Sequence, residues 1–136
     1  MPIRARSFSF AVSVGRDGAA TSERGGSPIP AEDAWTPEHL LLAGLARCTL
    51  TSLRFHARRE GIEVSGGGNA SGEVAVRPSD GRFAFVRIEV ELDVTLDPAP
   101  ASVRELISKA ERDCFVGASL TAKPDYRWTV NGEELA

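Results

Sequence analysis

Two cysteines, Cys48 and Cys114, are the residues whose chemistry most needs an explanation. Two are too few for a disulfide-stapled scaffold, and a chain of 136 residues can build a core without staples. A thiol attacks as its thiolate, and a neighbouring cation is what holds its pKa down. Arg47 directly precedes Cys48, but adjacent residues on a helix point about 100° apart and do not face each other. The cation is therefore expected from elsewhere. Arg16, within Gly15-Arg16-Asp17-Gly18, offers a guanidinium on a turn whose glycines let backbone approach a site closely. The bland alternative for Cys48 is a small buried hydrophobe, since free cysteine is among the most buried residue types. A second inward-facing thiol and a turn arginine are what favour chemistry.

These residues need elements to position them. From Ile3 to Val14 the chain places Phe8, Phe10, Val12 and Val14 on one face and Ser7, Ser9 and Ser13 on the other, which predicts a half-buried strand. After the Gly15–Gly18 turn, the segment from Glu23 to Ala34 is rich in Gly and Pro and has no periodicity, so it is expected to be a loop and a lid candidate. Thr36-Pro37-Glu38 supplies an N-cap, a first-position proline and a first-turn acid, predicting a helix over residues 37–60 that ends at Gly61. Its first half, with Leu40, Leu41, Leu42, Ala43, Leu45 and Ala46, is apolar nearly all round and is expected to be buried on every side. Such a helix is about 36 Å long. A compact monomer of this size has a radius of gyration of only about 14 Å, so one chain can scarcely wrap it.

Gly66-Gly67-Gly68-Asn69 reads as a flexible connection into a short strand, Glu73 to Arg77, followed by turn chemistry at Pro78-Ser79-Asp80-Gly81. Ile88, Val90, Leu92, Val94 and Leu96 alternate with polar residues, giving a strand with one core face and one wet face. Phe83 and Phe85 are in the opposite phase, which predicts a bulge near Val86. Asp97-Pro98 is expected to cap a second helix carrying Val103, Leu106, Ile107 and Ala110 on one face, with Cys114 continuing that face. Tyr126, Trp128 and Val130 alternate in a closing strand before the Asn131-Gly132 turn, and the two aromatics read as core or interface residues.

Composition narrows the function classes. With 42% hydrophobic and 26% charged residues the sequence reads as one globular domain over residues 1–136. The net charge of −3, with no block of like charges, argues against a nucleic-acid partner. The longest apolar run, Leu40 to Ala46, is far short of the roughly 20 residues of a membrane span. Arg4 and Arg6 before an apolar stretch imitate an export leader, but Ser9 and Ser13 interrupt that stretch at strand spacing. A cytoplasmic setting, in which thiols stay reduced, is therefore expected. His39 and His56 have no acid or cysteine cluster at metal-ligand spacing, so no metal is proposed. No cofactor is called for either.

The run from Thr36 to Cys48, Thr-Pro-Glu-His-Leu-Leu-Leu-Ala-Gly-Leu-Ala-Arg-Cys, resembles the central-helix signature of the OsmC/Ohr superfamily of thiol peroxidases. The early Gly15–Gly18 hairpin, Cys114 after a second helix and the terminal strand resemble that family too, over essentially the whole chain. The resemblance implies an α+β OsmC-like fold, antiparallel sheets around a long buried central helix, in an intertwined homodimer. It implies that Cys48 is the peroxidatic thiol, Cys114 the resolving thiol, Arg16 the activating cation and Glu38 the carboxylate that orients Arg16. Cys48 would reduce an organic hydroperoxide to an alcohol, form a disulfide with Cys114 and be reset by an external dithiol reductant. Leu41, Leu45 and Phe115 would line the substrate site, favouring organic hydroperoxides over hydrogen peroxide. Glu38 and Cys48 are about 15 Å apart on a straight helix, so a Glu38 that serves a site would serve the partner's, which makes the sites composite. A reading from another class stays open beside it: a non-catalytic dimeric domain of this fold that binds a small apolar ligand at its interface.

Overall fold

The computed structural model describes residues 6–31 and 34–135. The chain divides into a smaller unit up to Pro37 and a larger one from Glu38. In the smaller unit β1 (Val12–Val14) and β2 (Ala20–Ser22) pair antiparallel, Val12 opposite Ser22 and Val14 opposite Ala20. The Gly15–Gly18 turn joins them: Gly18 N donates to Gly15 O at 2.9 Å, and Ala19 N donates to the Asp17 carboxylate at 3.0 Å. Gly18 has φ 84°, a conformation that favours glycine. The expected strand from Ile3 is thus corrected to three residues among those described; Ile3, Arg4 and Ala5 lie outside them, as do Glu32 and Asp33 of the lid candidate. Its apolar face is exposed rather than half-buried, Phe8 at 65% and Val14 at 70%. Alternation tells which residues share a face, and a face is buried only if another element covers it.

All of α1 (Pro37–Arg59) but its first residue belongs to the larger unit; the helix has 23 residues, with Glu38 in the first turn and His56, Arg58 and Arg59 in the last. Gly61, at φ 72°, ends it: Gly61 N donates to Arg58 O and Ile62 N to Ala57 O, with Ile62 buried beneath the cap. β3 (Glu63–Val76) and β4 (Phe83–Asp97) form a long antiparallel hairpin. The expected flexible glycine connection is instead part of β3, because a strand needs only backbone to pair and here needs its absence of side chains. A Cβ on Gly66 would stand 2.2 Å from the Asp93 carbonyl oxygen, and one on Gly68 would stand 2.6 Å from that of Glu91. The register passes from Glu73–Arg87 to Val74–Phe85, leaving Val86 as the bulged residue.

After β4 come α2 (Val103–Arg112), α3 (Phe115–Ala118), β5 (Asp125–Val130) and β6 (Glu133–Glu134). The N-cap of α2 is Ser102, whose Oγ accepts from Glu105 N at 3.3 Å, and not Asp97-Pro98 as the sequence suggested. Asp97 is still paired with Glu63 in the hairpin and so is not free to cap. The sheet order is β3-β4-β5-β6, antiparallel except for β4–β5, which is parallel because α2 and α3 form the crossover between them. One core cluster joins Leu45, Leu53 and Ala57 of α1, the inward residues of β4 from Ile88 to Leu96, Leu106, Ile107 and Ala110 of α2, and Trp128 and Val130 of β5. Each large side chain fully buried there contributes about 1.5–3 kcal/mol.

The all-round burial expected for the first half of α1 is not found in the single chain. Leu40 is 37% exposed, and Leu41 and Leu42 are half-buried. The buried positions are Leu45, Thr49, Ser52, Leu53 and Ala57, a single face. The sheet covers one side of this helix, and an apolar first half has its other sides open. Among the described residues no helix is long and apolar enough to cross a membrane.

Candidate active site

Cys48 lies midway along α1 and is half-buried, whereas Cys114 is fully buried, and both are free thiols. The two side chains face each other, close enough for Cys114 to oppose the charge that Cys48 would carry. Cys114 reaches this place because α2 stops at Asp113 and the chain restarts as α3 with Cys114 as N-cap, its Sγ accepting from Gly117 N at 3.4 Å. The next two backbone amides, of Phe115 and Val116, face Cys48 and favour its charged form. One short turn of chain therefore serves both sulfurs.

Thr49, next to Cys48 and fully buried, completes the inner wall. Its hydroxyl donates to Leu45 O at 2.9 Å and lies 3.6 Å from Cys114 Sγ. With its proton on the Leu45 carbonyl, the Thr49 oxygen faces the Cys114 thiol as an acceptor. Tyr126 of β5 brings its hydroxyl to the same two side chains, and burial foremost, then the charge that Cys114 would carry, pushes its pKa up to about 12. It is a neutral hydroxyl at physiological pH.

Burial also pushes the Cys48 thiol up, and the Cys114 side chain adds to this, while the amides of Val116 and Phe115 pull the other way. Burial wins, so the groups contacting Cys48 do not by themselves make a thiolate. Arg16 is exposed in the β1–β2 turn of the smaller unit, and Glu38 is exposed in the first turn of α1, about 15 Å along the helix from Cys48. Of the expected lining residues, Leu41 is half-buried and Phe115 is 58% exposed beside Cys114. Leu45 belongs to the core, fully buried, and lies under the site beside Gly117. Among the described residues no group of three or more His, Cys, Asp or Glu side chains could hold a metal ion.

The sequence did not point to Thr49 or the amides of residues 115–117, and Tyr126 read from it as a core or interface aromatic rather than a residue of the site. Thr49 carries a weak signal, a hydroxyl on the helix face that otherwise holds Leu45, Leu53 and Ala57. Tyr126 shares its strand face with Trp128 and Val130, so an inward hydroxyl was implied, but its neighbour across the fold was not.

An OsmC-like protein family model matches residues 30–129, a span that holds α1, both cysteines and Glu38 but not Arg16. No curated protein matches the sequence. Among solved structures, an OsmC-like protein of Mycoplasma pneumoniae superposes with a TM-score of 0.70 at 19% identity, covering 93% of this chain and 99% of that one. The organic hydroperoxide resistance protein OhrB of Bacillus subtilis is 25% identical with a TM-score of 0.58, covering 91% and 98%. An OsmC-like protein of unknown function from Vibrio cholerae has a TM-score of 0.71 at 15% identity, covering 92% and 100%. These matches span the elements that bring Cys48 and Cys114 together, and this chain belongs to the OsmC-like protein family.

Proposed function

We propose that the protein is a thiol-dependent peroxidase that reduces organic hydroperoxides to alcohols. The observation that carries this reading is the pairing of two free thiols that face each other, one half-buried and one fully buried. The Cys48 thiolate attacks the distal oxygen of the hydroperoxide; the O–O bond breaks, Cys48 becomes a sulfenic acid, and the departing alkoxide takes up a proton, equivalent to the one the thiol had released, to leave as the alcohol. The Cys114 sulfur then attacks the Cys48 sulfur, the S–S bond forms, and water departs with the sulfenic oxygen and the Cys114 proton. An external dithiol returns both thiols.

Because burial raises the Cys48 pKa, the thiolate requires a cation, and none of the described residues that bear on Cys48 supplies one. We assign that role to Arg16, oriented by Glu38, with Leu41, Leu45 and Phe115 giving the substrate its apolar surroundings. The distance from Glu38 to Cys48 along α1 assigns each Glu38 to the partner's site in a homodimer. The exposed Leu40 and half-buried Leu41 and Leu42 support such a partner. A reducing cytoplasm is the compartment in which this cycle turns over.

Variants of the two cysteines test the assignment. Cys48→Ser is expected to abolish consumption of cumene hydroperoxide. Given a single equivalent of hydroperoxide, Cys114→Ser is expected to consume it and stop at a sulfenic acid that dimedone traps on Cys48. Equal peroxide consumption by Cys48→Ser and the unaltered protein contradicts the assignment.

A further inference from the structure

His56 takes no part in the chemistry above, yet its side chain is only 11% exposed, and its Nε2 lies 2.7 Å from Asp113 Oδ2. Asp113 immediately precedes Cys114 and is the C-cap of α2. The backbone bonds of these two residues stay within the turn: Asp113 N donates to Lys109 O at 3.0 Å, Ala118 N donates to Cys114 O at 2.9 Å, and Cys114 N reaches Glu111 O at 3.5 Å. The ties of Asp113 and Cys114 themselves to α1 are made by side chains. Thr49 and His56 are seven residues apart on α1 and so lie within about 20° of one face. Thr49 meets the Cys114 sulfur, and His56 meets the Asp113 carboxylate. The helix that carries Cys48 thereby grips two consecutive residues of the turn. Arg112 also pairs with Asp113, at 3.0 Å, but from the adjacent position, so it ties Asp113 to nothing across the fold.

We propose that His56 is a positioning residue for closure of the Cys48–Cys114 disulfide, holding Asp113 against α1 so that the Cys114 sulfur stays in reach of Cys48. This rests on reading Cys48 as the peroxidatic and Cys114 as the resolving thiol. In the closing step the two sulfurs must come to about 2.05 Å along the line of the breaking S–O bond. A misplacement of about 1 Å in such a step costs on the order of a hundredfold in rate. A sulfenic acid left waiting meets a second hydroperoxide, whose O–O bond breaks to give a sulfinic acid and a second alcohol. The ratio of sulfinic acid to disulfide at Cys48 therefore reports the placement of Cys114, and a loss of fold stability alone does not move it.

The test exposes the reduced full chain to excess cumene hydroperoxide and measures that ratio by peptide mass spectrometry, together with the rate of the first turnover. His56→Leu and Asp113→Ala are expected to raise the ratio about tenfold while changing the first-turnover rate by less than about twofold. His56→Gln, which keeps an N–H donor near the position of Nε2, is expected to restore the ratio. Both loss variants matching the unaltered protein overturns the inference, as does a His56→Gln protein that behaves like His56→Leu, or a ratio that rises only as the first turnover slows in parallel. If the unaltered protein closes no disulfide, the proposed function itself fails and this inference with it.

Discussion

The Tyr126 hydroxyl lies 2.7 Å from where a Cβ on residue 117 would stand, and residue 117 is glycine. The same Cβ would meet Cys114 Sγ at 3.4 Å. Tyr126 reaches Thr49 and Cys114 because that turn of α3 carries no side chain there.

Gly117→Ala is therefore expected to destabilise the fold by about 1–3 kcal/mol, the usual range for overpacking a filled site. Adding Tyr126→Phe removes the atom in the way and is expected to recover part of that loss. Urea unfolding of the two single variants and the double variant checks this, and additive losses contradict it.

Two neighbouring glycines of β3 should respond differently. Gly66 has φ 125° and a Cβ there would stand 2.2 Å from Asp93 O, whereas Gly67 has nothing within 4 Å of its Cβ position. Gly66→Ala is expected to cost more than about 2 kcal/mol through strain and strand separation, and Gly67→Ala less than about 0.5 kcal/mol. Thermal melts of the two variants compare them directly.

The Asp113 carboxyl is held below its ordinary range by Arg112 first and by His56 as well. A folded pKa below the unfolded one gives stability that is present above the unfolded value, about 3.9, and lost as pH falls through the folded value. The unaltered protein should therefore be more stable than Asp113→Asn at pH 7, with the gap closing below about pH 4. Unfolding midpoints across that range test the sign.

Burial favours the neutral Cys48 thiol, so its alkylation by iodoacetamide is expected to speed up with pH until the thiolate dominates. If Arg16 supplies the activating charge, Arg16→Ala moves that rise to higher pH, and for every pH unit that the midpoint climbs the reaction at pH 7 slows about tenfold. An unchanged profile removes Arg16 from the mechanism.

Much of the framework was legible in the residues. Period-two alternation from Ile88 to Leu96 gave β4 and its buried face, and the phase change at Phe85 gave the bulge at Val86. The Pro37 start and Gly61 stop gave α1 within a residue of its end. Gly66-Gly67-Gly68 misled, because glycine marks either freedom or close backbone approach and only the partner strand decides which. Of the site, the cysteines could be named from sequence, but the contacts of Thr49, Tyr126 and His56 depend on how α1 meets the turn at Asp113 and β5. No local pattern encodes those long-range meetings.

The central claim is tested most directly by adding one equivalent of cumene hydroperoxide to the reduced protein and measuring free thiols, cumyl alcohol and the peptide cross-link between residues 48 and 114. Loss of two thiols per chain, one equivalent of alcohol and that cross-link within one chain is the predicted result. Two thiols still titratable after prolonged exposure, with no alcohol formed, contradict it.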